Sequence, residues 1–256
     1  MRIVIKVGTS TLAHATGRLN IRRTTELCQV ISDLKNAGHE IILVSSGAIG
    51  MGVGKLGLKE KPTDIPTKQA AAAIGQCELM YTYDRLFTQY NHTVAQILLT
   101  GSDFSAEDRH ENFNNTLSRL LQLGVLPIIN ENDTIATEEI KVGDNDTLSA
   151  LVAASVKAQL LVILSDVDGL YSADPHKNTD ATLVERVHGM PEEVFAMAGG
   201  KGSALGTGGM RTKLNAAKIC VENGCDMVIA NGEKTERLYD IVGGVGGGYT
   251  RFFAKP

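Results

Sequence analysis

Apolar segments of strand length alternate along this chain with segments of helical periodicity. Candidate strands occupy residues 3–7, 41–45, 94–99, 125–130, 160–165 and 227–230. Candidate helices occupy residues 21–37 and 68–90, a segment that starts at Asp144 or Asn145 and runs to 157, and residues 209–223. Strands that alternate with helices form mostly parallel sheets covered on both faces. The pattern therefore predicts an α/β fold, a three-layer α/β/α sandwich with a largely parallel central sheet.

The glycine-rich stretch 243–248 and the segment after it form the C-terminal part of the chain. Clustered glycines mark turns, and residues 249–253 have a strand-like composition. We therefore expect a hairpin at the edge of the sheet.

Length and composition restrict the class of partner. With 256 residues and 43% hydrophobic content, the chain can bury one large core, so a single domain over 1–256 is expected. A net charge of −4 argues against nucleic acid or an anionic membrane as the main partner. Residues 1–6 enter a strand pattern at once and no apolar run reaches 18 residues, so neither a signal peptide nor a membrane span is expected. The four cysteines form no C-x-x-C pair, and a reducing compartment is expected. We expect a cytoplasmic protein that binds a small molecule.

Small polar residues directly follow three of the candidate strands, in segments 3–10, 41–50 and 161–166. The carboxyl ends of parallel strands line one crevice, so these polar ends indicate one shared ligand site. Lys6 lies inside the first strand, and a lysine buried there needs an anion. The alternative is an edge strand on which Lys6 is solvated, but the neighbouring Gly8 favours the anion.

Two further segments carry polar clusters. Residues 206–213 place three glycines and a lysine ahead of a helix, where backbone N–H groups and the lysine can bind phosphate. The usual phosphate-loop spacing, G-x-x-x-x-G-K-[ST], does not occur in the sequence. The second cluster contains Asp133, Asp144 and Asp146, which can cap helices, bind a metal or hold lysines in place. Its density favours a site over capping alone.

A third glycine pattern, G-x-G-x-x-G at residues 52–57, is a weak signal for a dinucleotide site. It begins seven residues after Ser45, where the strand ends, whereas a dinucleotide fingerprint follows its strand directly. We predict instead a flexible loop at a helix end near the substrate. The six histidines show no metal-ligand spacing.

Five of these segments together resemble the amino acid kinase family, and within it the kinases of glutamate. The segments are 5–10, 44–49, 129–133, 140–146 and 206–213, and they span nearly the whole chain. The last two are specific to glutamate kinases, whereas a strand-borne lysine also occurs in kinases of acetylglutamate, aspartate, carbamate and uridylate. Many members carry a C-terminal PUA domain, and we expect this chain, which ends at Pro256, to be the form without it.

The resemblance implies ATP-dependent phosphorylation of the γ-carboxylate of L-glutamate to L-glutamyl 5-phosphate, the first step of proline biosynthesis. A carboxylate with a pKa of about 4.3 is ionised at neutral pH, so the acceptor needs no general base. Cations and backbone donors must instead bring two anions together and stabilise the transferred phosphoryl group. The alternatives are a kinase of another small carboxylate or carbamate, and a non-catalytic amino-acid sensor.

The resemblance also implies roles for particular residues. Lys6 and Lys213 would flank the transferred phosphoryl group, and Asp146 would hold both lysines. The residues that would bind glutamate are Ser46, Gly47, Asp133 and Asn145. The residues that would bind ATP are Lys6, Gly8, Ser165, Asp166, Thr207, Gly208, Gly209, Met210, Arg211, Thr212 and Lys213. Mg²⁺ would bridge phosphate oxygens without a direct protein ligand.

Two broader expectations follow from the same resemblance. Residues up to about 150 would bind glutamate, and residues from about 151 onward would bind ATP. Proline is expected as a feedback inhibitor, since it shares the α-carboxylate and the amino group of glutamate, and the protein is expected to be a homo-oligomer.

Overall fold

The computed structural model of this chain describes residues 1–14, 16, 18–60, 62–136, 144–175, 178–197 and 209–254. Within these ranges eight strands form one sheet. They are β1 (Arg2–Val7), β2 (Glu40–Ser45), β3 (Val94–Leu99), β4 (Leu126–Glu131), β5 (Leu160–Ser165), β6 (Arg186–His188), β7 (Asp226–Asn231) and β8 (Thr250–Phe253). The six strands predicted from apolar runs are confirmed, each to within one residue at either end.

Ten helices connect these strands in the described part of the chain. They are α1 (Thr9–Leu12), α2 (Ile21–Asn36), α3 (Ala48–Leu56), α4 (Ile65–Thr88), α5 (Gly101–Ser105), α6 (Glu107–Gln122), α7 (Asn145–Ser155), α8 (Glu192–Ala196), α9 (Met210–Glu222) and α10 (Arg237–Gly243). The four predicted helices correspond to α2, α4, α7 and α9. Among the residues described, no helix has the length and apolar character needed to cross a membrane.

The strands lie in the order β3-β4-β2-β1-β5-β7-β8-β6. β1 pairs in parallel with β2 on one side and with β5 on the other, and the pairs β2–β4, β3–β4 and β5–β7 are also parallel. β2, β3 and β4 thus lie on one side of β1, and β5 to β8 lie on the other. The crevice at the carboxyl ends of β1 and β5 is the switch point at which such sheets bind ligands.

Helices cover both faces of the sheet and enclose two cores. Val4 and Val44 pack with α6, α7 and α9 in one core, while Ile5 and Leu43 pack with α2 and α4 in the other. Side chains alternate between the faces of a strand, so Lys6 lies on the same face as Val4. The predicted three-layer α/β/α sandwich is confirmed, and it directs the Lys6 side chain toward α7 and α9.

Two glycines let α3 and α4 pack closely against each other. A Cβ at Gly52 would lie 1.8 Å from a backbone oxygen of α4, and one at Gly75 would lie 1.7 Å from the carbonyl oxygen of Ala48. Only a residue without a side chain fits at either position. The predicted flexible loop over 52–57 is therefore wrong, because this segment is the second half of α3 and only Gly57, with a φ of 67°, ends it.

The C-terminal strand does not lie where the sequence predicts it. β8 pairs antiparallel with β7, but α10 separates the two strands in sequence, so they do not form a simple hairpin. β6 pairs in parallel with β8 and occupies the edge of the sheet. The three residues of β6 are too few to give a readable apolar pattern, which is why the edge was assigned wrongly.

Candidate active site

Three charged side chains meet at the carboxyl end of β1. Lys6 lies on β1, Asp146 in the first turn of α7 and Lys213 in the first turn of α9. Lys6 Nζ is 2.7 Å from Asp146 Oδ1, and Lys213 Nζ is 3.1 Å from Asp146 Oδ2. The side chains of Lys6, Asp146 and Lys213 are 10%, 2% and 7% exposed. Two ammonium groups therefore share one buried carboxylate, and the solvated alternative for Lys6 is excluded.

The electrostatics of this group favour an anionic ligand. Burial alone would raise the pKa of Asp146, because it removes the charged form from water. The ammonium groups of Lys6 and Lys213 outweigh burial and lower that pKa from 3.8 to about 2. The carboxylate is thus ionised at neutral pH, and two ammonium groups against one carboxylate leave a local excess of positive charge. Such a charge in a buried site suits a phosphoryl group.

Among the helices that begin at this edge of the sheet, α3, α7 and α9 have their first turns beside the site. α7 begins after Asp144, whose side chain accepts a hydrogen bond from the Thr147 N–H at 2.9 Å, as predicted for a capping residue. α3 and α9 begin after Gly47 and Gly209, which have no side chain to cap them. N–H groups in such first turns point outward, and the helix dipole favours an anion there.

Small residues line the crevice between β1 and β5. A Cβ at Gly8 would lie 3.4 Å from Lys6 Nζ, so a larger residue would crowd the ammonium group. At the end of β5, the Ser165 hydroxyl donates to Asp166 Oδ1 at 3.1 Å, and Asp166 is exposed. Space beside the ammonium group and N–H groups at two glycine-started helices fit the phosphates of a nucleotide.

A chain of side-chain amides leads from α7 to the neighbouring strands. Asn145, next to Asp146, donates from Nδ2 to Ser46 Oγ at 2.7 Å and to Asn130 Oδ1 at 3.0 Å. Asn130 lies on β4, and its Nδ2 donates to Oε1 of Gln76 on α4 at 2.9 Å. These bonds connect α7, the end of β2, β4 and α4. They bring together Ser46 and Asn145, two of the four residues predicted to bind the same substrate.

Sequence reasoning did not include Asn130 and Gln76 among the site residues. Gln76 is 7% exposed and lies on the face of α4 that also carries the buried residues Ala72, Leu79 and Tyr83. A glutamine on an otherwise apolar helix face is a signal that could have found it, because buried polar side chains need partners. Asn130, which is 1% exposed near the end of an apolar strand, gives the same signal.

The other predicted residues lie around the same edge. Asp133 is half-buried in the turn that follows β4. The Thr212 hydroxyl lies 3.1 Å from Asp146 Oδ2, so it supports the buried carboxylate. Met210 packs against the core and Arg211 is exposed, so α9 presents its backbone, rather than the Met210 side chain, to the crevice.

Part of the predicted site falls in segments without a structural description. Thr207 and Gly208 lie outside the described residues, as do residues 140–143 of the predicted polar cluster. Within the described ranges, no group of three or more His, Cys, Asp or Glu side chains is arranged to hold a metal ion.

The fold and the buried Lys-Asp-Lys group define a small-molecule kinase, and the chain belongs to the amino acid kinase family, whose model matches residues 1–231. Curated relatives from several bacteria carry the name glutamate 5-kinase, including those from two species of the genus Clostridium. The one from Clostridium acetobutylicum is 56% identical over 241 residues, which is 94% of this chain and 90% of the relative. The one from Clostridium perfringens is 51% identical over 258 residues, covering 99% and 96% of the two chains.

Solved structures with low sequence identity share the fold. The carbamate kinase from Giardia lamblia bound to AMP-PNP superposes with a TM-score of 0.68 at 16% identity. The UMP kinase from Ureaplasma parvum superposes with a TM-score of 0.65 at 17% identity. Each comparison covers 98% of both chains, so the α/β/α sandwich extends over almost the full length.

Proposed function

We propose that this chain catalyses the ATP-dependent phosphorylation of the γ-carboxylate of L-glutamate to L-glutamyl 5-phosphate, the first step of proline biosynthesis. The observation that carries the proposal is the pair of buried lysines held by Asp146 at the switch point of the sheet. The relatives named glutamate 5-kinase, 51% and 56% identical over nearly the full chain, support the same activity.

The phosphoryl transfer requires charge stabilisation rather than proton transfer. The acceptor carboxylate is ionised at neutral pH, so no side chain has to remove a proton from it. Lys6 and Lys213 bring the anionic acceptor and the anionic donor together and stabilise the charge of the transition state. Asp146 keeps both ammonium groups in position before the substrates arrive, so less reorganisation is needed during the reaction.

ATP supplies the phosphoryl group and Mg²⁺ accompanies it. Gly8, Ser165, Asp166 and residues 207–213 hold the nucleotide in this proposal, and the uncapped start of α9 offers its N–H groups to phosphate oxygens. The described side chains include no ready-made metal cluster. Mg²⁺ would therefore take phosphate oxygens and water as its main ligands, as it does in many nucleotide sites.

Glutamate lies on the other side of the lysines. Ser46, Gly47 and Asn145 surround the start of α3, and Asp133 lies in the turn after β4 as a partner for the α-amino group. This arrangement assigns the part of the chain up to about residue 150 mainly to glutamate and the part from about residue 151 mainly to ATP.

Regulation, assembly and location complete the proposal. Proline carries the α-carboxylate and the amino group of glutamate but lacks the γ-carboxylate, so it can occupy the pocket without reacting. We also propose that the protein acts in the cytoplasm and assembles as a homo-oligomer.

A coupled assay of ADP release tests the activity against its alternatives. L-glutamate, N-acetylglutamate, aspartate, carbamate and UMP are supplied in turn with ATP and Mg²⁺. We expect turnover with L-glutamate to exceed turnover with the others by orders of magnitude. Preference for another acceptor would point to a different kinase of the same fold, and binding of glutamate without ADP release would point to an amino-acid sensor.

A further inference from the structure

The amide chain has two ends with unused hydrogen-bonding capacity. Asn145 Oδ1 and Gln76 Nε2 are buried and have no hydrogen-bond partner among the described residues. Buried polar atoms in folded proteins are almost always paired, so an unpaired atom beside an active site marks the position of a ligand group or a water. The amide chain therefore has an unused acceptor, Oδ1, at Asn145 and an unused donor, Nε2, at Gln76.

Backbone groups that can only accept or only donate fix the orientation of the Asn145 and Asn130 amides, and Asn130 in turn fixes that of Gln76. The Ser45 carbonyl oxygen accepts from Asn145 Nδ2 at 3.2 Å, so Asn145 directs its NH₂ group into the chain. The Glu131 N–H donates to Asn130 Oδ1 at 2.9 Å, so Asn130 directs Nδ2 toward Gln76. A flip of any of these amides would bring two donors or two acceptors together. Gln76 therefore accepts through Oε1 and keeps Nε2 for another partner.

The position of Gln76 shows which end of the substrate it meets. Lys6 lies on β1 and Asn130 on β4, and β2 separates these strands. Neighbouring strands are about 4.8 Å apart, so β4 lies roughly 10 Å from β1. With the γ-carboxylate at the lysines, the end of glutamate that extends toward β4 and α4 carries the α-ammonium and the α-carboxylate. An N–H donor at that end suits the carboxylate, and a carbonyl acceptor suits the ammonium.

We propose that Gln76 binds the α-carboxylate of the acceptor amino acid through Nε2 and that Asn130 positions the Gln76 amide. The inference rests on the proposed function, which places the γ-carboxylate at the lysines. It makes Gln76 a specificity residue, because a substrate without an α-carboxylate leaves the buried donor unpaired.

Two variants of Gln76 test the hydrogen bond. Gln76→Met keeps much of the volume but removes both the donor and the acceptor for Asn130. Gln76→Glu keeps that acceptor and replaces the donor with an oxygen that repels a carboxylate. We expect the KM for L-glutamate to rise about 10- to 100-fold in both, as for loss of a hydrogen bond to a charged group. We expect kcat to change by less than about threefold and the Kd of ATP, measured by titration, to stay unchanged. Gln89→Met, at the exposed C-terminal cap of the same helix, is the matched control.

A substrate fragment separates recognition from a structural role. 4-Aminobutanoate keeps the reacting carboxylate and the amino group of glutamate but lacks the α-carboxylate. Its inhibition constant against glutamate should be the same in the wild-type protein and in Gln76→Met, while the KM for glutamate rises. An equal loss for both ligands, or an unchanged KM for glutamate, would overturn the inference. Failure of the wild-type protein to phosphorylate glutamate would instead refute the proposed function, and that is measured before any variant is made.

Discussion

Replacement of Asp146 by asparagine tests the buried group of charges most directly. The substitution keeps the size of the side chain but leaves Lys6 and Lys213 without their shared carboxylate. Loss of one partner from a buried ion pair costs about 3–5 kcal/mol of folding free energy, because the remaining charge stays buried and unpaired. Turnover should fall as well, because the ammonium groups no longer have a fixed position from which to stabilise the phosphoryl group.

The loss of folding free energy in Asp146→Asn should also depend on pH. The pKa of Asp146 is lowered from 3.8 to about 2, so its ionised form favours the folded state. A difference of this size corresponds to about 2 kcal/mol. That contribution is fully present above the unfolded-state pKa and is lost as the pH falls through the folded-state value. The difference in free energy of unfolding between wild type and Asp146→Asn should therefore be smaller at pH 3 than at pH 5, by about half of this contribution.

Urea unfolding followed by circular dichroism at pH 5, 4 and 3 measures this difference. Groups common to both proteins cancel when the variant is subtracted from the wild type. Asp84→Asn, which removes an exposed carboxylate from α4, is the control and should change stability little at any of these pH values. A difference between wild type and Asp146→Asn that is the same at pH 5 and pH 3 would show that the lysines do not hold the carboxylate, and the reasoning would fail.

Three further outcomes are expected. Lys213→Ala should reduce kcat by on the order of 10²-fold or more, because a preorganised charge donor is lost, and this loss should be far larger than the loss of ATP affinity measured by titration. Near-normal turnover would contradict the role of Lys213. Gly75→Ala should lower the urea midpoint strongly and raise the KM for glutamate, because the new Cβ would lie 1.7 Å from the Ala48 carbonyl oxygen. The control Gly243→Ala should have little effect on either quantity, because its Cβ would have only Val245 nearby, at 3.7 Å. Proline should inhibit competitively with glutamate, and Asp133→Ala should weaken the binding of both ligands. If saturating glutamate cannot relieve the inhibition in steady-state rates, a shared pocket is excluded.

The sequence predicts the central strands well because their signal is local. Residues 160–164 form a continuous apolar run that is typical of a strand buried on both faces, and β5 covers this run and ends at Ser165. The position of β8 in the sheet cannot be predicted from its own residues, because β6, a strand of only three residues, occupies the edge beyond it. The role of Gly52 is not local information either, because the need for a glycine there arises only where α4 packs against α3.

The site residues also differ in whether their positions can be predicted from local sequence. The structure brings Lys6, Asp146 and Lys213 together, as the resemblance to the amino acid kinases implies, and polar residues at strand ends of a parallel sheet are expected at its carboxyl edge. The amide chain could not be assembled in this way. Gln76 is 54 residues from its partner Asn130 and lies in the middle of a helix, where no terminus directs it toward the site.

The close packing of α3 and α4 explains how a residue in the middle of a helix reaches the pocket. Gly75 allows α4 to approach the Ala48 carbonyl in the first turn of α3, and Gln76 is the next residue. Ser46 and Gly47 lie just before that same turn, so one backbone contact fixes the distance between Gln76 and the proposed glutamate-binding loop. Two turns further along α4, the Tyr83 hydroxyl shares a 2.8 Å hydrogen bond with Ser45 Oγ at the end of β2, so α4 also contacts the strand that leads into this loop. The specificity of the pocket therefore depends on the packing of two helices as much as on the side chains that face the substrate.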